Sequence, residues 1–476
     1  MLLTKEPARP AWIRDWPHAW ILAVGTVCFG AFMGQLDASI VTLTYRPVQQ
    51  QFHAGLAGVE WVSLSYLLSL TALLVPVGRW SDRRGRKLSY LQGFILFTAA
   101  SAACGLAPSL PVLIAARAVQ GGGAALLQAN SVALVTTSPP RNRLRTALGI
   151  QAAAQALGLA VGPTVGGMLV DAAGWRYVYF INVPVGLVAA AAGIWLLPRT
   201  HHRPDRLPLD GVGTGLLAAC TTAFLLALSS ASGLSTPGWV TALLIVVAAG
   251  TGWLLARRQR HTSQPLIDPA LLRDRAVSAG LVSALFGYLT LFGPLVLVPV
   301  VLEAQGMSAV HAGLVLTALP AGFAVAATLA GALLPRAWGN RARSIAGGVV
   351  TAAGLVAGLV LPAHTGPLIV VLVVTGLGLG IFTPANNAQI MGAIPHASSG
   401  TGGGMVNMAR GLGTALGIST VTLCLQIGGQ GQSGARLAFA ALLGAAGLTL
   451  AGTVVHRPVG GDQHTDGGAA AASAFE

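Results

Sequence analysis

The chain has 476 residues, of which 54% are hydrophobic and 9% are charged, and its formal net charge is +14 at pH 7. A soluble protein of this length needs a charged surface that so few charged residues cannot supply. The composition therefore excludes a soluble protein and predicts an all-α integral membrane protein.

Fourteen apolar stretches follow one another along the chain, each long enough to cross about 30 Å of hydrocarbon as a helix. Short segments rich in polar residues, Gly or Pro separate them. The first stretch is too long for the apolar region of a cleavable signal peptide, so none is expected. We number the stretches spans 1 to 14, and they cover residues 19–43, 58–77, 88–107, 111–135, 146–170, 177–197, 210–230, 238–256, 276–302, 308–333, 344–362, 367–391, 400–424 and 435–455.

The basic residues predict the orientation of the spans, because Lys and Arg accumulate in short loops on the cytoplasmic side. With the N-terminus in the cytoplasm, the basic segments 79–87, 141–145, 199–206, 257–275 and 336–343 all fall on that side. An even number of spans returns the C-terminus there. We therefore expect a multi-pass protein of the cell membrane with both termini cytoplasmic. Contact of the basic segments with anionic membrane lipid accounts for the net charge, so no nucleic-acid partner is expected.

Span 1 carries an ionisable side chain, Asp37, within the apolar stretch "AFMGQLDASIVTL" (residues 31–43). A charge inside a membrane is costly and rarely faces lipid, which favours a functional role with a named partner. Arg117 in span 4 is the best partner, because at 1.5 Å per residue both side chains lie about 10 Å below the outer interface. We expect Asp37 and Arg117 to couple transport to protons. A purely structural ion pair is the alternative.

The segment "GRWSDRRGRK" (residues 78–87) joins spans 2 and 3. Asp82 is expected to cap the N-terminus of the next helix, span 3. Arg83, Arg86 and Lys87 are expected to face lipid phosphate or neighbouring helix ends. The alternative is an ordinary basic loop whose only role is to set the topology.

Span 5 contains "GLAVGPTVGG" (residues 158–167). Gly158, Gly162 and Gly166 lie on one face of the helix, where another helix can approach closely, and Pro163 permits a bend. We expect tight closure along this face to prevent a leak when the protein is open to one side. Ordinary packing of small residues is the alternative.

These motifs resemble those of a known superfamily. The segment after span 2 strongly resembles the signature loop of the major facilitator superfamily, through Gly78, Asp82, Arg83, Gly85 and Arg86. Span 5 resembles the antiporter motif of its proton-coupled exporters, through Gly158, Gly162, Pro163, Gly166 and Gly167. Together with "LDASIV" in span 1, "RAVQGGG" in span 4 and "GWRYVYFINVPVG" at the start of span 6, they make the chain similar to the fourteen-spanner drug/proton antiporter family.

The resemblance implies the major facilitator fold, with two six-helix bundles that rock about a central cavity and two inserted central helices. It also implies export of amphipathic drugs or antibiotics in exchange for protons, with protons as the coupling ion and no cofactor. No His/Asp/Ser or metal-ligand cluster stands out, so neither an enzyme nor a metal site is expected. We expect a monomer. The alternatives are a proton-coupled carrier of one specific metabolite with the same fold, and a transport-dead membrane sensor.

Weak internal similarity of residues 119–131 to 375–388, and of 155–158 to 410–413, pairs spans 4 and 5 with spans 12 and 13. In this pairing Val373 corresponds to Arg117, so the second half lacks the cation. Spans 7 and 8 remain as an insert. The predicted units are a cytoplasmic N-terminus (1–18), an N-terminal six-helix bundle (19–197), a two-helix insert with cytoplasmic flanks (198–275), a C-terminal six-helix bundle (276–457) and a disordered cytoplasmic tail (458–476).

Substrate contacts are expected from polar residues around the cavity, although each of them can equally bridge helices. Arg46 places a positive charge near the outer end of span 1, which argues against a cationic substrate. Glu60 and Glu303, near the outer ends of spans 2 and 9, either offset that charge or are solvated. The candidate cavity residues are Gln128, Asn130, Gln155, Asn386, Asn387, Gln389 and Arg410. Arg410 is expected to pair with backbone carbonyls or an acid at the bundle interface, and a substrate anion is the alternative.

Overall fold

The computed structural model describes residues 6, 8–54, 56–140, 143–200, 210–231, 237–262, 265–307, 309–335, 337–395, 398–429 and 431–455. All regular secondary structure in these ranges is helical. The predicted disordered tail lies outside them. The side chains of Arg46, Glu60, Pro163 and Glu303 are likewise not among the parts described.

Spans 1 to 14 are all present as helices. Thirteen described helices are long and apolar enough to cross a membrane. The remaining helix, span 5, has 30 residues. In order, the spans are Ala19–Ile40, Leu56–Arg84, Arg86–Gly105, Leu110–Thr137, Leu144–Ala173, Arg176–Phe180 continued by Asn182–Leu196, Gly211–Ala231, Gly238–His261, Arg275–Ala304, Ala309–Leu316 continued by Ala318–Leu333, Asn340–Val360, Thr365–Ala393, Ser399–Gly428 and Gln432–Val455.

Short helices occupy some of the connections between spans. They are Ala11–Arg14, Tyr45–Phe52, Pro269–Arg273 and the 3-10 turn Val41–Thr44. The segment 78–87 is not a loop, because span 2 continues as a helix to Arg84 and span 3 begins at Arg86. Gly85 alone separates the two helices. Its φ is 113°, a backbone conformation that residues other than glycine rarely adopt.

The helices form two bundles beside an inserted pair. Most buried apolar residues of spans 9–14 fall in one cluster, and most of those of spans 1–6 fall in two others. Spans 7 and 8 pack against each other, and span 7 also contacts spans 2 and 13. This is the arrangement of two six-helix bundles and two inserted helices that the sequence predicts. The residue boundaries of the units stay predictions.

Close helix contacts repeat in the two halves. Gly158 of span 5 packs against the backbone of Phe32 in span 1, and Gly413 of span 13 packs against that of Leu285 in span 9. A side chain at either glycine would collide with a carbonyl oxygen of the neighbouring helix. The fifth helix of each half therefore lies directly against the first helix of the same half.

The fourth helix of each half repeats in the same way, and its contacts correct one detail of the sequence alignment. Gly121 in span 4 and Gly376 in span 12 each pack against the backbone of the second helix of their own half. With these glycines as equivalents, Leu372 and not Val373 corresponds to Arg117. Leu372 is buried and apolar, so the second half still lacks the cation.

The two halves touch at the end of the molecule that carries the Arg-rich segments, which we call the arginine-rich end. Here span 5 meets span 10 at Gly149 and Ala327, and span 13 meets span 2 at Gly404. A Cβ atom on Gly404 would lie 2.6 Å from the carbonyl oxygen of Leu74. The halves are therefore closed at this end at backbone-contact distance.

The glycine face of span 5 lies against span 1, the helix that carries Asp37. A Cβ on Gly162 would meet the Ser39 side chain and would lie 3.4 Å from the backbone nitrogen of Ile40. A Cβ on Gly158 would lie 3.2 Å from the backbone nitrogen of Leu36. Spans 1 and 5 can therefore stay together only while these positions lack side chains.

Gly162→Leu is expected to abolish transport while the protein still inserts in the membrane. The added side chain must displace span 1, at a cost of about 1–3 kcal/mol for overpacking. Gly250→Leu on span 8 is the matched control, because no heavy atom lies within 4 Å of a Cβ at that position. Uptake into inverted vesicles, compared at equal membrane content, measures the effect. Similar transport by the two variants would contradict the close approach.

Candidate functional site

Asp37 and Arg117 form an ion pair inside the first bundle. Arg117 Nη1 donates to Asp37 Oδ2 at 2.7 Å. Asp37 is 0% exposed and Arg117 is 1% exposed. The structure therefore brings together the two residues that the sequence pairs by depth, and removes both from lipid and from water.

Two further donors hold the carboxylate. Asp37 Oδ1 accepts hydrogen bonds from Gln120 Nε2 and from Asn182 Nδ2, both at 3.0 Å. All three neighbours of the carboxylate are donors, and an ionised carboxylate has only acceptor sites. The site is therefore complementary to ionised Asp37, because the hydroxyl of a protonated carboxyl would face at least one N–H group.

Arg117 is fixed by contacts of its own. Its Nε donates to the carbonyl oxygen of Val62 at 3.0 Å, and Nη1 also donates to Gln120 Oε1 at 2.7 Å. The Tyr66 ring lies over the guanidinium, with 4.2 Å from Cζ to the ring centroid. The guanidinium thus joins span 4 to spans 1 and 2.

Gln120, Asn182 and Tyr66 are not among the residues predicted from the sequence. Gln120 lies one helical turn after Arg117, where it faces the same neighbours. Asn182 is a buried amide in an otherwise apolar span, and such residues rarely face lipid. These two signals were available from the sequence. The aromatic contact of Tyr66 has no equivalent signal, because it depends on how spans 2 and 4 pack.

A central cavity of about 100 Å³ lies between the two halves, beside the ion pair. Gly34, Gln35 and Ala38 of span 1 line it, as does Tyr66, which separates it from Arg117. Its other polar lining residues are Thr71, Gln128, Gln155, Tyr288, Asn407, Arg410 and Thr414. The cavity is smaller than the roughly 300 Å³ of typical ligand pockets, so a drug-sized molecule requires the halves to move apart.

Three predicted cavity residues, Gln128, Gln155 and Arg410, do line this cavity. The other four do not. Asn130 donates to Ser81 Oγ at 2.8 Å, and Asn386 donates to the carbonyl oxygen of Gly280 at 3.0 Å. Both amides bridge helices, as the alternative reading allowed.

Asn387 and Gln389 are also absent from the cavity lining. They lie toward the arginine-rich end, in the part of span 12 beyond the cavity. There the two halves are in contact at Gly149 and at Gly404. In the described conformation the structure therefore does not place these two residues at the cavity, and their role in substrate binding stays a prediction.

Asp82 links the two halves, which corrects the expected cap. Its Oδ1 accepts from the Gly400 backbone N–H at 2.8 Å, and its Oδ2 accepts from the Thr401 backbone N–H at 2.8 Å and hydroxyl at 2.9 Å. Arg86 Nε donates to Oδ1 at 3.0 Å. Asp82 therefore caps the N-terminus of span 13, in the other half, and not that of span 3.

Gly78 permits this contact, whereas Lys87 and Arg83 lie elsewhere. A Cβ on Gly78 would lie 3.0 Å from the carbonyl carbon of Gly400, so the glycine permits the approach of span 13. Lys87 Nζ donates to the carbonyl oxygens of Ile194 and Leu197, at 2.8 and 2.7 Å. Lys87 thus binds a neighbouring helix end, as expected, and Arg83 is partly exposed.

Potential metal ligands do not cluster in the described ranges: no group of three or more His, Cys, Asp or Glu side chains is placed to hold an ion there. The four cysteines, Cys28, Cys104, Cys220 and Cys424, are free thiols. The polar chemistry of the site therefore consists of hydrogen bonds and ion pairs.

Comparison with known proteins identifies the family. The model of the Major Facilitator Superfamily matches residues 27–418. The chain belongs to this superfamily of membrane transporters and is not an enzyme. The predicted fold is thereby confirmed.

Two curated relatives and one solved structure illustrate the similarity. The riboflavin transporter RibZ of Clostridioides difficile is 31% identical over 402 residues, covering 84% of this chain and 86% of the relative. The tetracenomycin C resistance and export protein of Streptomyces glaucescens is 32% identical over 418 residues, covering 86% and 75%. The crystal structure of the human organic anion transporter MFSD10 superposes with a TM-score of 0.67 at 15% identity, covering 91% of this chain and 99% of the other. The last similarity concerns the fold alone.

Asp82→Asn is expected to slow transport about tenfold, because the amide loses the charge-assisted hydrogen bonds that hold the N-terminus of span 13. The substitution leaves the count of basic residues unchanged. If the segment only sets the topology, transport is therefore expected to be unaffected. Asp210→Asn is the matched control. Asp210 is also buried and accepts from Gly213 N and Arg258 Nε, both at 2.8 Å, but it joins spans 7 and 8 only. Equal transport rates for the two variants in vesicles would show that the contact of Asp82 with span 13 does not control transport.

Proposed function

We propose that the protein is a proton-coupled antiporter that exports amphipathic drugs or antibiotics by alternating access. The observation that carries the proposal is the donor-only environment of Asp37, beside a cavity at the interface of the two halves. Asp37, Arg117, Gln120 and Asn182 come from spans 1, 4 and 6. The protonation of one side chain is thereby tied to the packing of three helices.

Protonation of Asp37 competes with the described conformation. A protonated carboxyl gives up at least one of its three donors, and the loss of the charge leaves Arg117 without its counter-ion. Leaving a buried polar group unpaired costs about 1–3 kcal/mol, and more for a charged group. Protonation of Asp37 therefore favours any conformation in which these groups bind other partners or water. By linkage, a protein in that conformation binds the proton more tightly.

The closed contacts at the arginine-rich end indicate toward which side the protein reopens when Asp37 is protonated. In the described conformation Asp82 holds span 13 against the first half, and the central cavity lies on the far side of that closure. With the arginine-rich end in the cytoplasm, protons reach the Asp37 site past Tyr66 from the outer side. Proton binding then favours reopening toward the cytoplasm, where the proton leaves and substrate enters. The orientation of the termini and the cell-membrane location belong to this proposal.

The proton gradient is sufficient to drive export. One proton moving down about 100 mV and one pH unit releases roughly 2.3 plus 1.4 kcal/mol. This supports a gradient of a neutral substrate of about 500-fold. No cofactor beyond the proton is required, and a monomer in contact with membrane lipid is sufficient.

Similarity to an antibiotic resistance and export protein supports the export of drugs or antibiotics. Similarity to a riboflavin transporter favours a second candidate, a carrier of one specific metabolite. Preservation of the complete Asp37–Arg117 network argues against a transport-dead sensor. A growth-inhibition panel of dyes, quaternary ammonium compounds, macrolides and anionic antibiotics separates the two transport functions. Uniform sensitivity with and without the protein favours the specific carrier.

Asp37→Asn is expected to abolish uphill transport, since the amide retains the size of the side chain but does not titrate. In inverted vesicles with an imposed proton gradient, the variant binds substrate and equilibrates it without accumulating it. Accumulation with the wild-type dependence on the gradient would contradict the proposal.

The double variant Asp37→Asn/Arg117→Gln distinguishes coupling from a structural ion pair. A structural pair predicts poor folding of each single variant and partial rescue in the double variant, because the unpaired charge has been removed. A coupling pair predicts that the double variant folds and still fails to accumulate substrate. Thermal melting and vesicle accumulation of the same preparations measure the two effects.

A further inference from the structure

Arg410 is a second buried cation, and it lies in the central cavity. Its side chain comes from span 13 and the residue is 5% exposed. Nη1 donates to Asn407 Oδ1 at 3.2 Å, and Cζ lies 5.0 Å from the centroid of the Tyr288 ring. The buried Nε has no hydrogen-bond partner among the described residues. Arg410 therefore lines the cavity with a guanidinium whose donors are not all satisfied by described residues.

Neighbouring side chains fix the orientation of Arg410. Asn407 Nδ2 donates to the carbonyl oxygens of Gln128 and Gly403, at 2.6 and 3.1 Å, which leaves the amide oxygen for Arg410. Tyr288, whose ring contacts the guanidinium, donates to Gln155 Oε1 at 3.4 Å. The guanidinium is thus held by an amide and a ring, neither of which neutralises its charge.

The described lining of the cavity contains Arg410 and no carboxylate. The buried carboxylates of Asp37 and Asp82 already have cationic partners, since Asp37 pairs with Arg117 and Asp82 pairs with Arg86. Tyr66 also separates the cavity from Arg117. A buried cation without a counter-ion makes the potential of the cavity positive, and such a cavity concentrates anions.

The repeat between the halves makes this asymmetry clear. Arg410 occupies in span 13 the position that Gln155 occupies in span 5, three residues before the equivalent glycines Gly413 and Gly158. Both side chains line the cavity, one charged and one neutral. The cation is therefore no requirement of helix packing at this position, because the equivalent position in the same fold is filled by a neutral amide.

We propose that Arg410 binds the anionic group of the substrate, so that the cargo is an amphipathic organic anion. This inference rests on the proposed export function and specifies its substrate class. A guanidinium offers paired donors that match carboxylates and sulfonates. Export of a monovalent anion also gains from a membrane potential that is negative inside, which raises the attainable gradient by about 50-fold per 100 mV.

Three probes with one ring system test the charge preference: 1-naphthalenesulfonate, 1-naphthalenesulfonamide and trimethyl-1-naphthylammonium. Calorimetric binding to the purified full-length protein is measured for each. We expect the sulfonate to bind about tenfold more tightly than the neutral sulfonamide, the strength of a charge-assisted hydrogen bond, and the ammonium to bind most weakly.

Three variants test the residue. Arg410→Gln is expected to remove the preference for the sulfonate while sulfonamide binding stays within about twofold, and Arg410→Lys is expected to retain part of the preference. Arg436→Gln removes the same charge from an exposed position of span 14 and is expected to change nothing. Thermal melting establishes that each variant is folded.

The outcomes separate this inference from the proposed function. Equal or tighter binding of the sulfonamide or the ammonium by the wild type contradicts the anionic cargo and leaves drug export standing. The same sulfonate preference in Arg410→Gln also overturns the role of Arg410. Failure of all three probes to bind, with drug sensitivity unaffected by the protein, contradicts both proposals.

Discussion

A carboxylate surrounded by three hydrogen-bond donors is the constraint on which the structure depends. Asp37 has no exposed surface, and its partners Arg117, Gln120 and Asn182 come from two other helices. In the membrane interior this charge is stable only while all three donors are in place. The charge of the Asp37 carboxylate and the packing of spans 1, 4 and 6 therefore change together.

Span 2 connects this site to the closure of the two halves. Near one end of span 2, the Val62 carbonyl and the Tyr66 ring contact Arg117. The middle of the span lines the cavity. At its other end, Asp82 caps span 13. A movement of span 2 as a rigid helix therefore alters the ion pair, the cavity and the closure at once. This gives the proposed coupling a physical route through one continuous helix.

Sequence patterns predicted the helices and the Asp37–Arg117 pair, because burial of charge in lipid and helical rise restrict the possibilities strongly. They gave the wrong helix for the Asp82 cap, since Gly400 lies 318 residues away and only the docking of the halves brings it close. Asn130 and Asn386 were misplaced for a different reason, because each bridges two helices of its own half. Which end of the cavity is closed depends on the relative tilt of the bundles, and local sequence does not encode that tilt.

Infrared difference spectroscopy of the purified protein tests the central claim most directly, because a protonated carboxyl group has a C=O stretch distinct from the bands of a carboxylate. Acidification is predicted to produce such a band, absent from Asp37→Asn, together with separation of spans 2 and 13 at the arginine-rich end. An Asp37 that stays ionised at every pH at which the protein transports substrate would contradict the account.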